Sequence, residues 1–334
     1  MIKLNCEEKF LISLITDSEK PEELAMKINS EKLVRISSKY LLLPFLYFMI
    51  IKKNLEIFFP KDFLKYCRQI YNINYNRNIE LINELNIIIS NLTENKIDFT
   101  LLKGSDYIIN EIYEDIGIRM IGDIDYLISI EDFEPNNKIL KKLNYKSEFY
   151  FKFWKSRHLN IFLNKKKYFR IEPHVRLIDN NTTLNKEVKK VELGLKSKNN
   201  FSRIKYCILN SEYNDFGMLR AVIDLRTITD LFILLNNKSD ELSKFENNFI
   251  YRKFLLKLGE IGLYKMKFKP NFFEKIYLLR FRFKKGNKFA YKFDESLISL
   301  IIFLMKLKYQ IIELIFNSDY RKYIFNKKLF FEKF

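Results

Sequence analysis

Cysteine is scarce in this chain of 334 residues, and its placement argues against two classes of protein. The three cysteines, Cys6, Cys67 and Cys207, are far apart, odd in number and form no CxxC pair. This usage indicates neither a disulfide framework nor a zinc site, and it suits a reducing cytoplasm. Glu7 and Glu8 precede the first apolar run and no small-residue cleavage site follows it, so we expect a cytoplasmic protein without a signal peptide.

Glycine and proline are also few, with eight and six residues, and no linker rich in Gly, Ser or Pro divides the chain. No repeat of solenoid length is visible either. Hydrophobic residues make up 48% of the sequence, which is enough for a substantial core. These features predict a globular protein of one to three domains.

Long uninterrupted apolar runs are absent as well. The run "LLLPFLYFMII" at 41–51 is too short to span a membrane and contains Pro44, so a buried helix is expected. The run "LISLIIFLMKLKYQIIELIF" at 297–316 has nearly the right length but is interrupted by two lysines and a glutamate. It favours a core or packing helix, and a helix lying on a membrane surface is the alternative.

Acidic residues are outnumbered by basic ones, 41 to 59, which gives a net charge of +18. Residues 251–334 hold 20 Lys and Arg against 7 Asp and Glu, so +13 of this charge lies in the last quarter. A basic region of this kind could attract nucleic acid, nucleotides or anionic lipid. The codon bias of an AT-rich genome is an equally good explanation for the many lysines.

Periodicity divides the chain into three regions and predicts an α+β fold. Residues 1–95 show helical spacing, 96–212 alternate short strands with helices, and 213–334 return to helix with a basic excess. Within the middle region, "FYFKFW", "HLNIFLN" and "YFRIEPHVRL" are expected to form successive strands. We therefore expect a small mixed β-sheet flanked by N-terminal and C-terminal helical regions.

The segment "IDFTLLKGS" predicts a strand that ends in a glycine turn and leads into a helix. Ser105 is placed to be the N-cap of that helix. Gly104 would let the backbone approach a phosphate, and the first N–H groups of the helix would point toward it. Lys103 or Arg119 could add positive charge to this anion site.

The next strand, "DIDYLIS", contains two aspartates one residue apart. Side chains alternate along a strand, so Asp123 and Asp125 share a face, with Cα atoms about 6–7 Å apart, while Ile124 and its alternate neighbours can face the core. Two carboxylates at that distance repel unless a cation lies between them, which makes a metal ion the natural partner. The alternative is that the aspartates cap loops or pair with Arg119.

These two motifs in succession resemble the signature of the polymerase-β-like nucleotidyltransferase superfamily. The run from "LLKGS" through "RMIGDIDYLIS" to "IEPHVRL" looks specifically like an uncharacterised bacterial nucleotidyltransferase family, and the likeness covers roughly residues 75–235. The family's pattern is LKG, then R-x-x-x-D-h-D, then an acidic residue two positions before a histidine.

The resemblance implies a site for a nucleoside triphosphate, such as ATP, and for Mg²⁺ or Mn²⁺. It assigns the metal and the catalysis to Asp123, Asp125 and Glu172. It assigns the nucleotide phosphates to Lys103, Gly104, Ser105 and Arg119.

The only two histidines, His158 and His174, both match histidine positions of the family and lie near the expected site. They could position the substrate or handle a proton, or they could be structural. No third soft ligand is spaced with them as a zinc site would require. Asp230, in "RTITDLFILL", matches an acidic position of the family, although an exposed helical aspartate would explain it equally well.

Three functions compete at this point. The first is Mg²⁺-dependent transfer of a nucleoside monophosphate to an unidentified acceptor hydroxyl on a small molecule, a sugar or a protein. The second is a catalytically inactive protein of the same fold that binds or regulates. The third, suggested by the basic C-terminal region, is nucleic-acid binding or tRNA modification. The same region could also make peripheral contact with a membrane.

Overall fold

The computed structural model describes residues 4–16, 20–147, 157, 161–179, 184–318, 320–322 and 324–325. It consists of helices around one five-stranded mixed sheet, so the expected α+β class is confirmed. The division into regions 1–95, 96–212 and 213–334 stays a prediction.

The residues before the sheet are helical, as expected. The helices are α1 (Cys6–Thr16), α2 (Pro21–Ala25), α3 (Ser30–Lys39), α4 (Leu43–Lys52) and α5 (Lys61–Glu94), with a 3₁₀ turn at Glu56–Phe58. The run 41–51 forms most of α4, whose Phe45, Leu46 and Ile50 are buried, so this expectation is confirmed. Helix α5 buries Leu81, Leu85, Ile88 and Leu92, which recur at three- and four-residue steps along one face.

The sheet is built from short strands with two helices between them. These elements are β1 (Phe99–Leu101), α6 (Lys103–Ile109), β2 (Asp123–Ile128), α7 (Phe133–Lys142), β3 (Lys146–Ser147), β4 (Phe162–Leu163) and β5 (Arg170–His174). The spatial order is β1-β2-β5-β4-β3, and only β2 and β5 run parallel. The predicted strand "FYFKFW" lies outside the described residues, whereas "HLNIFLN" and "YFRIEPHVRL" contain β4 and β5.

Strand β2 carries the alternation that the sequence predicted. Ile124, Tyr126 and Ile128 are buried in a hydrophobic core that α5, α7 and the sheet share. Leu127 points to the opposite side, into a larger core that includes side chains of the first and later helices. The aspartates share the side of Leu127, because side chains two positions apart on a strand have the same direction.

Helical structure returns at residue 185, earlier than the expected position near 215. The later helices are α8 (Asn185–Lys196), α9 (Asn200–Leu209), α10 (Gly217–Arg220), α11 (Leu225–Leu234), α12 (Phe249–Glu260), α13 (Phe272–Gly286) and α14 (Lys288–Phe316). A π-turn at Asn210–Asn214 and a 3₁₀ segment at Ser239–Phe245 interrupt them. Helix α8 has only Val191 and Leu195 buried, which is a weak apolar signal in a lysine-rich segment.

The segment 297–316 packs against other helices, as one of the two expectations had it, but the expectation of a core helix is wrong. This segment is the greater part of α14, and among its residues only Ile298, Ile302 and Glu313 are buried. The helix contacts the protein along a narrow stripe, so most of its apolar side chains remain exposed. Among the described residues, no helix is both long enough and apolar enough to cross a bilayer.

Candidate active site

The turn after β1 is fastened to the backbone of Asp125. The Asp125 N–H donates to Ser105 Oγ at 3.0 Å, and the Leu102 N–H donates to the Asp125 carbonyl oxygen at 3.0 Å. Ser105 lies inside α6 and is fully buried, and the capping position belongs to Leu102, which has no capping side chain. The prediction of Ser105 as N-cap is therefore wrong, because its hydroxyl accepts from the neighbouring strand.

The carboxylate of Asp125 is the centre of the site. Its Oδ1 accepts from Lys103 Nζ at 3.0 Å and lies 2.7 Å from His174 Nε2. Burial opposes ionisation, but the Lys103 charge and the His174 hydrogen bond outweigh it and hold the pKa of Asp125 well below its usual range. An ionised carboxylate only accepts hydrogen bonds, so His174 must donate through Nε2–H.

His174 is neutral in this arrangement. Its side chain is fully buried, and burial lowers its pKa more than the contact with Asp125 raises it. The neutral ring with its proton on Nε2 fixes the orientation of the Asp125 carboxylate. This places His174 as a positioning residue, whereas His158 lies outside the described residues.

Glu172 lies directly opposite Asp125 because β2 and β5 pair in parallel with these two residues in register. The ligand atoms of Asp125, Glu172 and His174 all lie within 4.8 Å of one another. Burial, followed by the negative charges of Asp125 and Asp123, raises the pKa of Glu172 to about 7. The acid is therefore held in a place where its charge needs a compensating cation.

Asp123 lies beside this three-residue cluster and is partly exposed. Burial and the charge of Asp125 raise its pKa, while Lys103, Arg226 and Arg119 act in the opposite direction. Of the three predicted acids, Asp125 and Glu172 are thus brought together in the cluster. Asp123 is the first residue of β2 and lies beside the cluster.

Lys103 reaches the cluster from an unusual backbone conformation. Its φ of 48° is left-handed, which a residue other than glycine rarely adopts outside turns and functional sites. The N–H groups of Ser105 and Asp106 both donate to the Leu102 carbonyl oxygen, so these two amides point into the turn. The positive charge at the expected anion site therefore comes from the Lys103 side chain, which is 22% exposed.

Arg119 packs against Gly104 and pairs with Asp230. Arg119 forms two hydrogen bonds of 2.8 Å with Asp230, which also accepts from Tyr113. Asp230 is buried, so its interpretation as an exposed helical residue is wrong. A Cβ atom on Gly104 would lie 2.5 Å from Arg119 Nη1 and 2.9 Å from Ile121 Cγ2, so the absence of a side chain lets the guanidinium pack there.

Two further arginines act on the acids, and the sequence did not single them out. Arg226 donates to the Met120 carbonyl oxygen at 2.6 Å and lowers the pKa of Asp123. The charge of Arg157 partly offsets the raised pKa of Glu172. Both lie far from the two motifs in the chain, so spacing could not reveal them.

The donor set fits a divalent cation. Carboxylate oxygens suit Mg²⁺ and Mn²⁺, and an imidazole is acceptable to Mn²⁺. Lys103 and His174 both contact Oδ1 of Asp125, so Oδ2 is the oxygen that a cation could take without displacing either. Asp123, Asp125 and Glu172 together would supply the negative charge that such an ion requires.

Comparison with known proteins gives one finding on the family. The sequence model of a family described as "Uncharacterised nucleotidyltransferase" matches residues 26–247, which is more than half of the chain. The match includes α5, the whole sheet and α11, and thus every residue of the site. No curated protein and no solved structure matches the chain.

Proposed function

The chain belongs to the uncharacterised nucleotidyltransferase family, and from this premise we propose that it transfers a nucleoside monophosphate from a nucleoside triphosphate to an acceptor hydroxyl. The acceptor oxygen bonds to the α-phosphorus, the α–β phosphoanhydride bond breaks, pyrophosphate leaves and the hydroxyl proton passes to solvent. The observation that carries the proposal is the in-register pair of Asp125 and Glu172 on parallel strands, with Asp123 on the same face.

In this proposal the three acids hold Mg²⁺ or Mn²⁺. The bound ion supplies charge neutralisation at the phosphates and activation of the acceptor hydroxyl. His174 keeps the Asp125 carboxylate in one orientation, and Ser105 keeps its backbone in place. Asp125 is thereby positioned before any substrate arrives.

Positive side chains around the acids would bind the triphosphate. Lys103, Arg157 and Arg226 come from three separate segments, and the charge of each lowers the pKa of at least one of Asp123, Asp125 and Glu172. Arg119 is already paired with Asp230, so its contribution is to shape the wall beside Gly104. This assignment moves the phosphate contacts away from the turn itself and onto side chains.

The test is a transfer assay with each α-labelled nucleoside triphosphate, Mg²⁺ and a lysate of the source cells. We expect the combined substitution Asp123→Asn and Asp125→Asn to abolish labelling while circular dichroism shows that the fold is retained. Asp132→Asn is the matched control, because Asp132 is partly exposed and its carboxylate bonds locally, to the Ser129 hydroxyl. Full labelling by the double variant would refute the proposal.

A second candidate, a protein that binds without transferring, is favoured by one observation. The Lys103 ammonium lies 3.0 Å from Asp125 Oδ1 and neutralises it without any metal. Binding of Mn²⁺ together with a non-hydrolysable triphosphate separates the two candidates. Nucleotide binding that is independent of Mn²⁺ would support the non-catalytic protein.

A further inference from the structure

The outward side of α14 carries a continuous row of exposed apolar side chains. Successive members are three or four residues apart, which places them on one helical face. The row consists of Phe293, Leu297, Leu300, Leu304, Leu307, Ile311 and Leu314. The opposite face contacts the protein through Ile298 and Ile302, so the row points away from the body of the molecule.

This apolar face is wider than the contact between two paired helices. Ile301, Phe303 and Ile315, which flank the row, are exposed apolar residues too. A coiled coil has a narrow apolar seam, and the positions flanking it are normally charged. Helix α13, which packs against α14, adds further exposed aromatic residues at Phe272, Phe273 and Phe283. The width and aromatic content resemble a helix that lies in a membrane interface.

The basic residues of α14 within 297–316 are exposed, whereas the acidic residues of the helix are paired or buried. Lys308 is exposed and flanks the apolar row, whereas Lys306, four positions after Ile302, is exposed closer to the face that contacts the protein. Asp294 and Glu295 form ion pairs with basic residues of neighbouring elements, and Glu313 is buried. The solvent side of the segment 297–316 therefore presents apolar groups, some uncharged polar groups and positive charge, and it exposes no carboxylate.

This distribution decides between two occupants of the face. A second copy of the chain would bring lysines toward lysines, with no carboxylate on the outer side to compensate. An anionic lipid surface instead supplies negative groups beside Lys308, and it accepts the apolar side chains between its headgroups. Residues 251–334 contain 20 basic and 7 acidic residues, and this positive charge also favours an anionic lipid surface.

We propose that α14 binds the surface of membranes that contain anionic lipids. Its apolar row inserts between the headgroups, Lys308 lies beside the lipid phosphates, and Lys306 adds positive charge farther from the surface. The helix lies along the surface and does not cross it. The proposal is independent of the nucleotidyltransferase activity.

The test is sedimentation of the full chain with phosphatidylcholine vesicles that contain or lack phosphatidylglycerol. We expect binding to the anionic vesicles that weakens as salt is raised. Leu300→Glu combined with Leu307→Glu should abolish this binding, since both changes place charge in the apolar row. Met26→Glu combined with Ile57→Glu is the matched control, because both side chains are at least as exposed but lie outside α14.

A second variant tests the charge without altering the apolar row. Lys306→Gln combined with Lys308→Gln should reduce the partition onto anionic vesicles by about tenfold or more and leave the weak binding to neutral vesicles unchanged. If the glutamate variant fails to fold, the glutamine variant tests the membrane proposal in its place. The proposal is overturned if the wild-type chain binds anionic and neutral vesicles equally. It is also overturned if the chain binds no vesicles but forms a dimer that Leu300→Glu with Leu307→Glu dissociates.

Discussion

The raised pKa of Glu172 makes the binding of a divalent cation depend on pH in a specific range. With a pKa of about 7, Glu172 is mostly protonated at pH 6 and mostly ionised at pH 8. A cation binds the carboxylate form, so it must displace the proton when it binds below pH 7. About one molecule in eleven is ionised at pH 6 and about ten in eleven at pH 8, which predicts an affinity about tenfold weaker at pH 6.

Isothermal titration with Mn²⁺, in pairs of buffers that differ in ionisation enthalpy, measures both the affinity and the protons released. We expect close to one proton per ion at pH 6 and about a tenth of a proton at pH 8. His174 contributes little to this slope above pH 6.5, because burial holds its pKa below the usual value. The prediction therefore concerns Glu172 specifically.

Glu172→Gln provides the control for this reasoning. The variant lacks the titrating group, so its Mn²⁺ affinity should be lower and nearly constant between pH 6 and pH 8. An affinity in the wild-type protein that does not vary over this range would contradict the raised pKa. A slope that persists in Glu172→Gln would show that another residue releases the proton.

Three further predictions follow from the packing and charge around the site. Gly104→Ala should lower the free energy of unfolding by about 1–3 kcal/mol, since its Cβ would overlap Arg119 and Ile121. Gly122→Ala, with no atom within 4 Å of the added Cβ, should be neutral in the same urea titration. Arg203→Met should cost about 3–5 kcal/mol, because the buried Asp106 carboxylate loses the charge of Arg203 and the two hydrogen bonds of 2.7 and 3.0 Å that Arg203 donates, and keeps only neutral donors such as Asn110. A free energy of unfolding unchanged by this substitution would contradict the buried pair. Mn²⁺ and a non-hydrolysable triphosphate should each bind more tightly in the presence of the other, and calorimetric affinities that are independent of one another would argue against a shared site.

The sequence predicted those parts of the site that depend on the chain's local pattern. Alternation along a strand placed Asp123 and Asp125 on one face and Ile124 in the core, and both placements are confirmed. The parallel register that brings Glu172 opposite Asp125 depends on contacts about 47 residues apart in the chain, and periodicity carries no information on such pairing. Only the resemblance to a family suggested Glu172.

The errors have physical causes that differ from one residue to the next. Ser105 has the residue type and position of an N-cap, but it lies inside α6 and its hydroxyl accepts from the Asp125 N–H of β2, a contact that the local sequence does not reveal. Asp230 has the pattern of an exposed helical residue until Arg119, 111 residues away, is placed against it. The segment 297–316 is apolar enough for a core, but burial requires a partner surface, and the described part of the chain covers only one stripe of α14.

Charge balance explains how the fold tolerates so many buried ionisable groups beside one strand. Lys103 compensates Asp125, His174 is neutral, and Glu172 near neutral pH is only partly ionised. The cluster is thus close to neutral on its own, so a cation that binds without a triphosphate gains less there than it would beside three ionised acids. In the proposed function, a triphosphate would add negative charge beside Lys103 and would therefore strengthen the binding of a cation at Oδ2 of Asp125. Under the proposed function, the ion pair between Lys103 and Asp125 would be the resting state of a site that binds a cation and a polyphosphate together.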